Sequence, residues 1–342
     1  TTSFPVILHL TQTATMRFLE IAAAIGAVLG VGAVLKMAMG RGRKARRKAV
    51  AMCGKVAVVT GGTSGIGLET CERLVCSGVR VFLACRDVKR AQKTVDRLRS
   101  LAPPGYETVC ADFAYCDLAD LSSVVTFARS FTAKGLPLNV LFLNAGICPA
   151  VGQKGALLTM DGFEEAFQTN HLGHFLLTRL LTPLLKETPQ SRIVVVSSSL
   201  HKGSSKGPPP LNLESVAALK EEWQQSSNGM ELYKSSKLCN ILFTHEANRR
   251  LQPFGVTANS LSPGFIPNTG LSRKQGLFGR FVTSYILPNL PLKFVATLDD
   301  AGTTTEFVSL SPTLDGVGGK YYSYCKAVDP SPQALDETLG AR

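Results

Sequence analysis

The sequence predicts an α/β fold in which one doubly wound parallel sheet carries helices on both faces, with an apolar helix ahead of it at the N-terminus. Three observations carry that prediction. Past residue 50, short apolar runs alternate with longer stretches of helical period. Several runs, Arg192-Ile-Val-Val-Val-Ser197 among them, are continuously apolar at their centre, the pattern of strands covered on both faces. A glycine-rich turn directly follows the first run.

From Ile21 to Leu35 the chain reads IAAAIGAVLGVGAVL, without a charge. A bilayer core needs about 20 apolar residues; Met37 to Met39 extend the run, and Lys36 can snorkel to the headgroups. The basic block Arg41-Gly-Arg-Lys-Ala-Arg-Arg-Lys48 follows, so the positive-inside rule places the rest of the chain on the cytoplasmic side. A cleaved signal peptide, a transit peptide and a helix packed on the domain are the alternatives. The expected organisation is a leader with membrane anchor and basic linker over residues 1–50 and one domain over 51–342.

The 342 residues are 45% hydrophobic and 18% charged, enough apolar content for a sizeable core and too much for disorder. A formal charge of +12 would point to an anionic partner if spread over the fold, but much of it sits in the basic block. No aromatic interleaving or nucleic-acid module accompanies that block, so no nucleic-acid partner is expected. The nine cysteines are scattered and lack C-x-x-C or Cys/His zinc spacing. That points to a reducing compartment and to thiols used as small buried apolar groups.

Val56–Thr60, Val79–Ala84, Val140–Leu143, Arg192–Ser197 and Val256–Leu261 read as strands. Leu68–Cys76, Val88–Leu101, Leu121–Thr132 and Phe163–Leu185 read as helices between them. Right-handed crossovers put all strand C-termini on one edge, where a ligand crevice forms. The long interruptions Ser199–Leu232 and Phe265–Leu298 follow strands at that edge and read as ligand loops.

Directly after the first strand comes Thr60-Gly61-Gly62-Thr63-Ser64-Gly65-Ile66-Gly67. Glycines at this spacing tighten the turn, let backbone N–H groups approach a pyrophosphate, and let the helix pack close to the sheet with its positive end toward the anion. The sheet is therefore expected to be of the Rossmann type. At the end of the second strand an acidic residue would hold the ribose hydroxyls of NAD, and a guanidinium the 2′-phosphate of NADP. Arg86 precedes Asp87 there, so NADP(H) is the expected cofactor. Tyr233-Lys-Ser-Ser-Lys237 opens a further helical stretch, and the i, i+4 spacing puts phenol and ammonium on one face. A phenol with its ordinary pKa of about 10 is a poor proton donor or acceptor at neutrality, and an adjacent ammonium favours the phenolate.

Across about residues 52–325 the sequence resembles the short-chain dehydrogenase/reductase family. The resemblance rests on T-G-x-x-x-G-I-G at Thr60–Gly67, Asp117-Leu118, Asn144-Ala145-Gly146, Asn170 in Thr-Asn-His-Leu-Gly-His-Phe, Ser198, Tyr233-x-x-x-Lys237 and Pro263-Gly264. It implies a cofactor lined by Gly61, Thr63, Ser64, Gly65, Ile66, Gly67, Arg86, Asp117, Leu118, Asn144, Ala145, Gly146, Tyr233, Lys237, Pro263, Gly264 and Ile266. It also implies a catalytic tetrad of Asn170, Ser198, Tyr233 and Lys237. Tyr233 would exchange a proton with the substrate oxygen while Ser198 hydrogen-bonds it; Lys237 would hold the nicotinamide ribose and lower the phenol pKa; Asn170 would position a water. Of the adjacent Ser197, Ser198 and Ser199, the second serine of V-S-S matches the family position.

Within the family, Gly162–Thr178 and Ala84–Asp87 look like the branch holding retinol dehydrogenases, the WW-domain oxidoreductase and light-dependent protochlorophyllide reductase. The implied reaction interconverts a lipophilic alcohol and its aldehyde or ketone. Phe265, Leu271, Leu277, Phe278, Phe281, Tyr285, Ile286 and Leu287 offer apolar surface suited to such a substrate. Protochlorophyllide reductase carries a proton-donating cysteine immediately after Pro-Gly, where this chain has Phe265. Pigment reduction is the runner-up, and a non-catalytic nucleotide-sensing adaptor is a further alternative. His171 and His174 read as packed helix residues, and no metal is expected because the nicotinamide performs the redox step. The expected partners are a lipophilic small molecule and, through the N-terminal helix, a membrane, with a homodimer allowed for. The expected location is the endoplasmic reticulum or an organelle envelope with the main domain facing the cytoplasm, a plastid being the alternative.

Overall fold

The computed structural model of the protein describes residues 52–149, 156–203, 207, 209–225, 229–266 and 296–342. The apolar run 21–35, the basic block 41–48 and the loop side chains from Leu271 to Leu287 lie outside them. Among the described residues no helix is long and apolar enough to cross a membrane.

One sheet organises the domain. Its strands are β1 (Val56–Thr60), β2 (Arg80–Cys85), β3 (Ala111–Tyr115), β4 (Val140–Leu143), β5 (Arg192–Val196), β6 (Thr257–Ser262), β7 (Tyr321–Ser323) and β8 (Lys326–Val328), in the spatial order β3-β2-β1-β4-β5-β6-β7-β8. All pairings are parallel except β7 with β8. The helices are α1 (Gly65–Cys76), α2 (Val88–Arg99), α3 (Leu121–Thr132), α4 (Gly173–Glu187), α5 (Val216–Gln225), α6 (Gly229–Leu251), α7 (Leu298–Leu310) and α8 (Glu337–Ala341). Strand order reverses between β1 and β4, which opens a crevice at their carboxyl ends.

The continuous apolar runs have the cause inferred from sequence. Val56, Val58, Phe82, Leu141, Leu143, Ile193 and Val195 enter one core with Phe127 and Phe131 of α3 and Leu177 and Leu181 of α4. Their neighbours Ala57, Val59, Val81, Leu83, Phe142, Val194 and Val196 enter the other core with Leu74 of α1, Val95 of α2 and Val308 of α7. Side chains alternate across the pleat, so strands sandwiched between two helical layers, such as β1, β4 and β5, carry apolar residues on both faces. The strand β3 escaped this pattern because it is an edge strand: only Ala111 is buried, and Asp112 interrupts the run. β7 and β8 are three residues each and join through Tyr324 and Cys325 at φ 48° and 60°, a tight antiparallel turn. The interruption after Ser199 contains α5 and the first turn of α6, so Tyr233 sits inside a helix that starts at Gly229.

Candidate active site

The crevice is built first from the glycine turn. The chain leaves β1 through Gly61, at φ 64°, and enters α1 at Gly65, at φ 55°. A Cβ on Gly67 would lie 2.3 Å from the Gly61 carbonyl oxygen, and one on Gly62 would lie 2.6 Å from Leu83 Cδ2, so larger residues would push turn, helix and sheet apart. Asp87 and Asp120 cap α2 and α3 through their side chains, but the N-cap Ser64 makes no such bond and the first turn of α1 holds no acidic residue. The leading N–H groups of α1 are thus spared from side-chain capping and carry the helix's positive end, as a dinucleotide pyrophosphate requires.

The Asn144-Ala145-Gly146 segment at the end of β4 connects this turn to the far side of the crevice. Asn144 Nδ2 donates to the carbonyls of Thr60 at 3.0 Å and Gly61 at 3.2 Å. At the other end, a Cβ on Gly146 would meet Asn170 Oδ1 at 3.2 Å and Lys237 Nζ at 3.5 Å. A side chain there would crowd both groups. Thr60 Oγ1 receives the N–H groups of Asn144 at 2.9 Å and Ala145 at 3.1 Å, and it contacts His174 Nε2 at 2.8 Å. His174 Nδ1 meets the Asn170 carbonyl at 3.0 Å. A carbonyl can only accept, so Nδ1 is protonated, Nε2 accepts, and the Thr60 hydroxyl is the donor.

Asn170 lies in a π-helical turn, Gln168–Leu172, that leads into α4. Its side chain accepts from Ile147 N at 2.8 Å and donates to Ile147 O and Ser236 Oγ, each at 3.0 Å. The amide is therefore committed to holding the N-A-G loop and α6 together. Lys237, 3% exposed, donates to the Val196 carbonyl at 3.1 Å, and its Nζ lies 5.6 Å from the Tyr233 ring centre. Burial pushes this ammonium down to about 8. Tyr233 is also buried, and the Ser198 hydroxyl, which accepts from Leu200 N at 3.2 Å, lies beside its phenol. Burial raises the phenol above its ordinary value, the nearby Cys148 adds to the rise and the neighbouring Ser198 hydroxyl opposes it. Desolvation thus works against the lowering expected from the ammonium. The three serines separate cleanly: Ser197 Oγ donates to the Lys237 carbonyl at 2.7 Å, Ser198 Oγ accepts from Leu200 N beside Tyr233, and Ser199 is exposed.

The remaining predicted positions divide. Thr63, Ser64 and Ile66 line the turn, and Ile66 packs on the cluster of Ile266, Ala296 and Ala301, so the Pro263-Gly264 loop closes against the start of α1. Gly264 has φ 83°, and a Cβ there would lie 2.5 Å from Ala296 Cβ. Arg86 is exposed at the end of β2, while Asp87 accepts from Arg90 N at 3.0 Å and pairs with its guanidinium at 3.2 Å. Asp117 serves its own turn, accepting from Ala119 N at 3.0 Å, and Leu118 is buried where a Cβ on Gly173 would meet its carbonyl at 2.7 Å. His171 and His174 are packed as expected, His171 against Phe167 and Asn240. Sequence reasoning missed Cys148, a half-buried thiol pushed up by burial and within electrostatic reach of Lys237. Its position two residues after the N-A-G motif was the available signal.

Nucleotide turn and proton-bearing pair are thus joined by one three-residue segment across the β1–β4 crevice, the arrangement of a dinucleotide-dependent oxidoreductase. Residues 55–208 match the model of the short chain dehydrogenase family. Retinol dehydrogenase 14 of Homo sapiens is 37% identical over 302 residues, covering 85% of this chain and 84% of that protein. The WW domain-containing oxidoreductase of Gallus gallus is 37% identical over 290 residues; the match takes in 84% of this chain and only 65% of the relative's length. A short chain dehydrogenase from Burkholderia cenocepacia, solved in complex with NADP, superposes with a TM-score of 0.58 at 25% identity, over 80% of this chain and 96% of that one. The chain belongs to the short-chain dehydrogenase/reductase family, whose members use a nicotinamide cofactor.

Proposed function

We propose that the protein is an NADP(H)-dependent oxidoreductase that interconverts a lipophilic alcohol and its aldehyde or ketone, with Asn170, Ser198, Tyr233 and Lys237 as its working residues. The observation that carries this reading is the half-buried Ser198 hydroxyl beside the buried Tyr233 phenol, with Lys237 one helical turn further along α6. When bound, the nicotinamide supplies or accepts the hydride. The protein's own groups handle the proton and the orientation. Tyr233 stays protonated at neutral pH because burial disfavours the phenolate, which suits donation to a carbonyl oxygen. The Ser198 hydroxyl, beside the phenol, would hold the same oxygen. Lys237 has three N–H donors, and with one on Val196 O it can offer others to ribose hydroxyls beside Gly146. Asn170 fixes the loop that forms that wall.

Arg86 supports NADP(H): it is exposed at the end of β2, and the adjacent carboxylate is occupied by Arg90 and the cap of α2. Exposed Leu200, two residues past Ser198, and exposed Phe265, just past Gly264, support a lipophilic substrate, as does the name of the retinol dehydrogenase relative. The apolar run 21–35 followed by the basic block supports a membrane tether with this domain on the cytoplasmic side. The test is a panel of lipophilic aldehydes, including all-trans-retinal, with NADPH and NADH in the dark. Turnover with NADPH is expected. Cofactor binding with no turnover across the panel would favour a nucleotide-sensing adaptor, and loss of protochlorophyllide absorbance only under light would favour pigment reduction.

A further inference from the structure

His201 is fully buried in the 3-10 turn Ser199–Lys202, beside the proposed proton-bearing residues. Its Nδ1 lies 2.7 Å from the Ser198 carbonyl, which also accepts from His201 N at 3.2 Å. Its Nε2 accepts from the backbone N–H of Ser331 at 3.0 Å. Since a carbonyl must accept and a backbone N–H must donate, only the neutral tautomer protonated at Nδ1 satisfies both partners. The ring stands edge-on to Tyr321 of β7, with centres 5.1 Å apart. Next to it, Lys202 Nζ donates to the Asp329 carbonyl at 3.3 Å. The segment after β8 is therefore bolted to the turn that carries Ser198.

That segment also grips the helix that carries Tyr233. Ala334 packs with Leu238, Ile241 and Leu242 of α6 and with Tyr321, and Leu339 of α8 packs on the same cluster. The C-terminal segment 329–342 thus contacts both the turn that carries Ser198 and the helix that carries Tyr233. Were His201 merely a space-filling ring, the Tyr321 contact and the surrounding apolar side chains would suffice. Instead, both nitrogens are spent on main-chain groups, one in its own turn and one 130 residues further along the chain.

We propose that His201 is a positioning residue for Ser198, coupling it to the C-terminal segment so that this segment sets the placement of the Ser198 hydroxyl relative to Tyr233. The inference rests on the oxidoreductase reading above and adds to it a long-range determinant. Displacing a reacting group by about 1 Å can cost on the order of 10²-fold in rate, so a loosened Ser198 should lower kcat while leaving cofactor affinity alone.

Two variants test the link. In His201→Phe both polar bonds are lost and the ring contact with Tyr321 is kept. In Ser331→Pro the N–H that reaches His201 is removed together with a hydroxyl that makes no hydrogen bond among the described residues, and Ser331 already has φ −70°, a value proline adopts. Both should bind NADPH with a Kd within about threefold of the parent and show kcat lowered by about tenfold or more, with the larger loss in His201→Phe. The double variant should be no worse than His201→Phe alone, because both changes break one connection. Unchanged kcat in Ser331→Pro, or losses that multiply in the double variant, would overturn the proposal. If the parent turns over no carbonyl at all, the oxidoreductase reading fails, and amide hydrogen exchange decides the coupling separately. Faster exchange at Leu200 to Gly203 in Ser331→Pro upholds the link, and unchanged protection there refutes it.

Discussion

Lys237 anchors its ammonium on the Val196 carbonyl at 3.1 Å, so the last residue of β5 fixes the charge that lies 5.6 Å from the Tyr233 ring centre. Asn240 Nδ2 donates to the same carbonyl at 3.3 Å. The carbonyl's hydrogen bonding therefore survives loss of the lysine, and the two roles of Lys237, structural and chemical, can be separated by experiment.

The variant Lys237→Met keeps the length of the side chain and removes its charge. It should fold with a Tm equal to or above the parent's, because a buried ammonium is costly and its acceptor keeps Asn240. Turnover should fall by about 10²- to 10⁴-fold. A calorimetric scan beside an aldehyde-reduction assay checks both; unimpaired turnover would remove Lys237 from the chemistry.

The pH dependence of reduction follows from the same burial. With the Lys237 ammonium lowered to about 8 and the phenol of Tyr233 raised, the group that changes charge just above neutrality is the lysine. The rate of carbonyl reduction should therefore decline as pH rises through about 8, with no earlier loss from phenol ionisation. A pH–rate profile that stays level to about pH 10 would contradict this.

Cofactor preference should reside in Arg86. Changing it to Glu places a carboxylate where the 2′-phosphate is expected, so KM for NADPH should rise by about tenfold or more while KM for NADH stays level or falls. Equal effects on both cofactors would place the 2′-phosphate elsewhere.

Much of this was legible in the residues because backbone geometry demanded specific side chains. Gly62 and Gly67 lack room for a Cβ, and β1, β2, β4 and β5 carry apolar residues on both faces, so both leave signatures that spacing and composition reveal. What was hidden depends on contacts between segments distant in sequence. No local pattern tells that Ser197 is turned toward Lys237 O while Ser198 Oγ accepts from Leu200 N, or that Asn170 spends its amide on Ile147. The edge strand β3 and the three-residue strands β7 and β8 were invisible for a different reason: half-exposed or very short strands carry too few apolar positions to show a period.

Acid should destabilise the fold well before its carboxylates are all protonated. Burial holds His171 at about 4 and His174 at about 3, and also pushes His201 and His245 down. An unfolded chain takes up these protons near pH ~6.5 while the fold refuses them, so the unfolded state binds more protons and stability rises with pH across this window. Stability should be complete above about pH 6.5 and decline toward pH ~4, by up to about 1.4 kcal/mol per pH unit for each histidine. Urea midpoints measured between about pH 7.5 and 5 report this directly, and a constant midpoint would mean that the histidines protonate in place.

The most direct test removes one oxygen atom. Tyr233→Phe keeps a buried ring on α6 and eliminates the phenol that Ser198 contacts. NADPH titration followed by cofactor fluorescence should give a Kd within about threefold of the parent, while aldehyde reduction falls by about 10²- to 10⁴-fold. Reduction at the parent rate with the phenol gone would contradict the account.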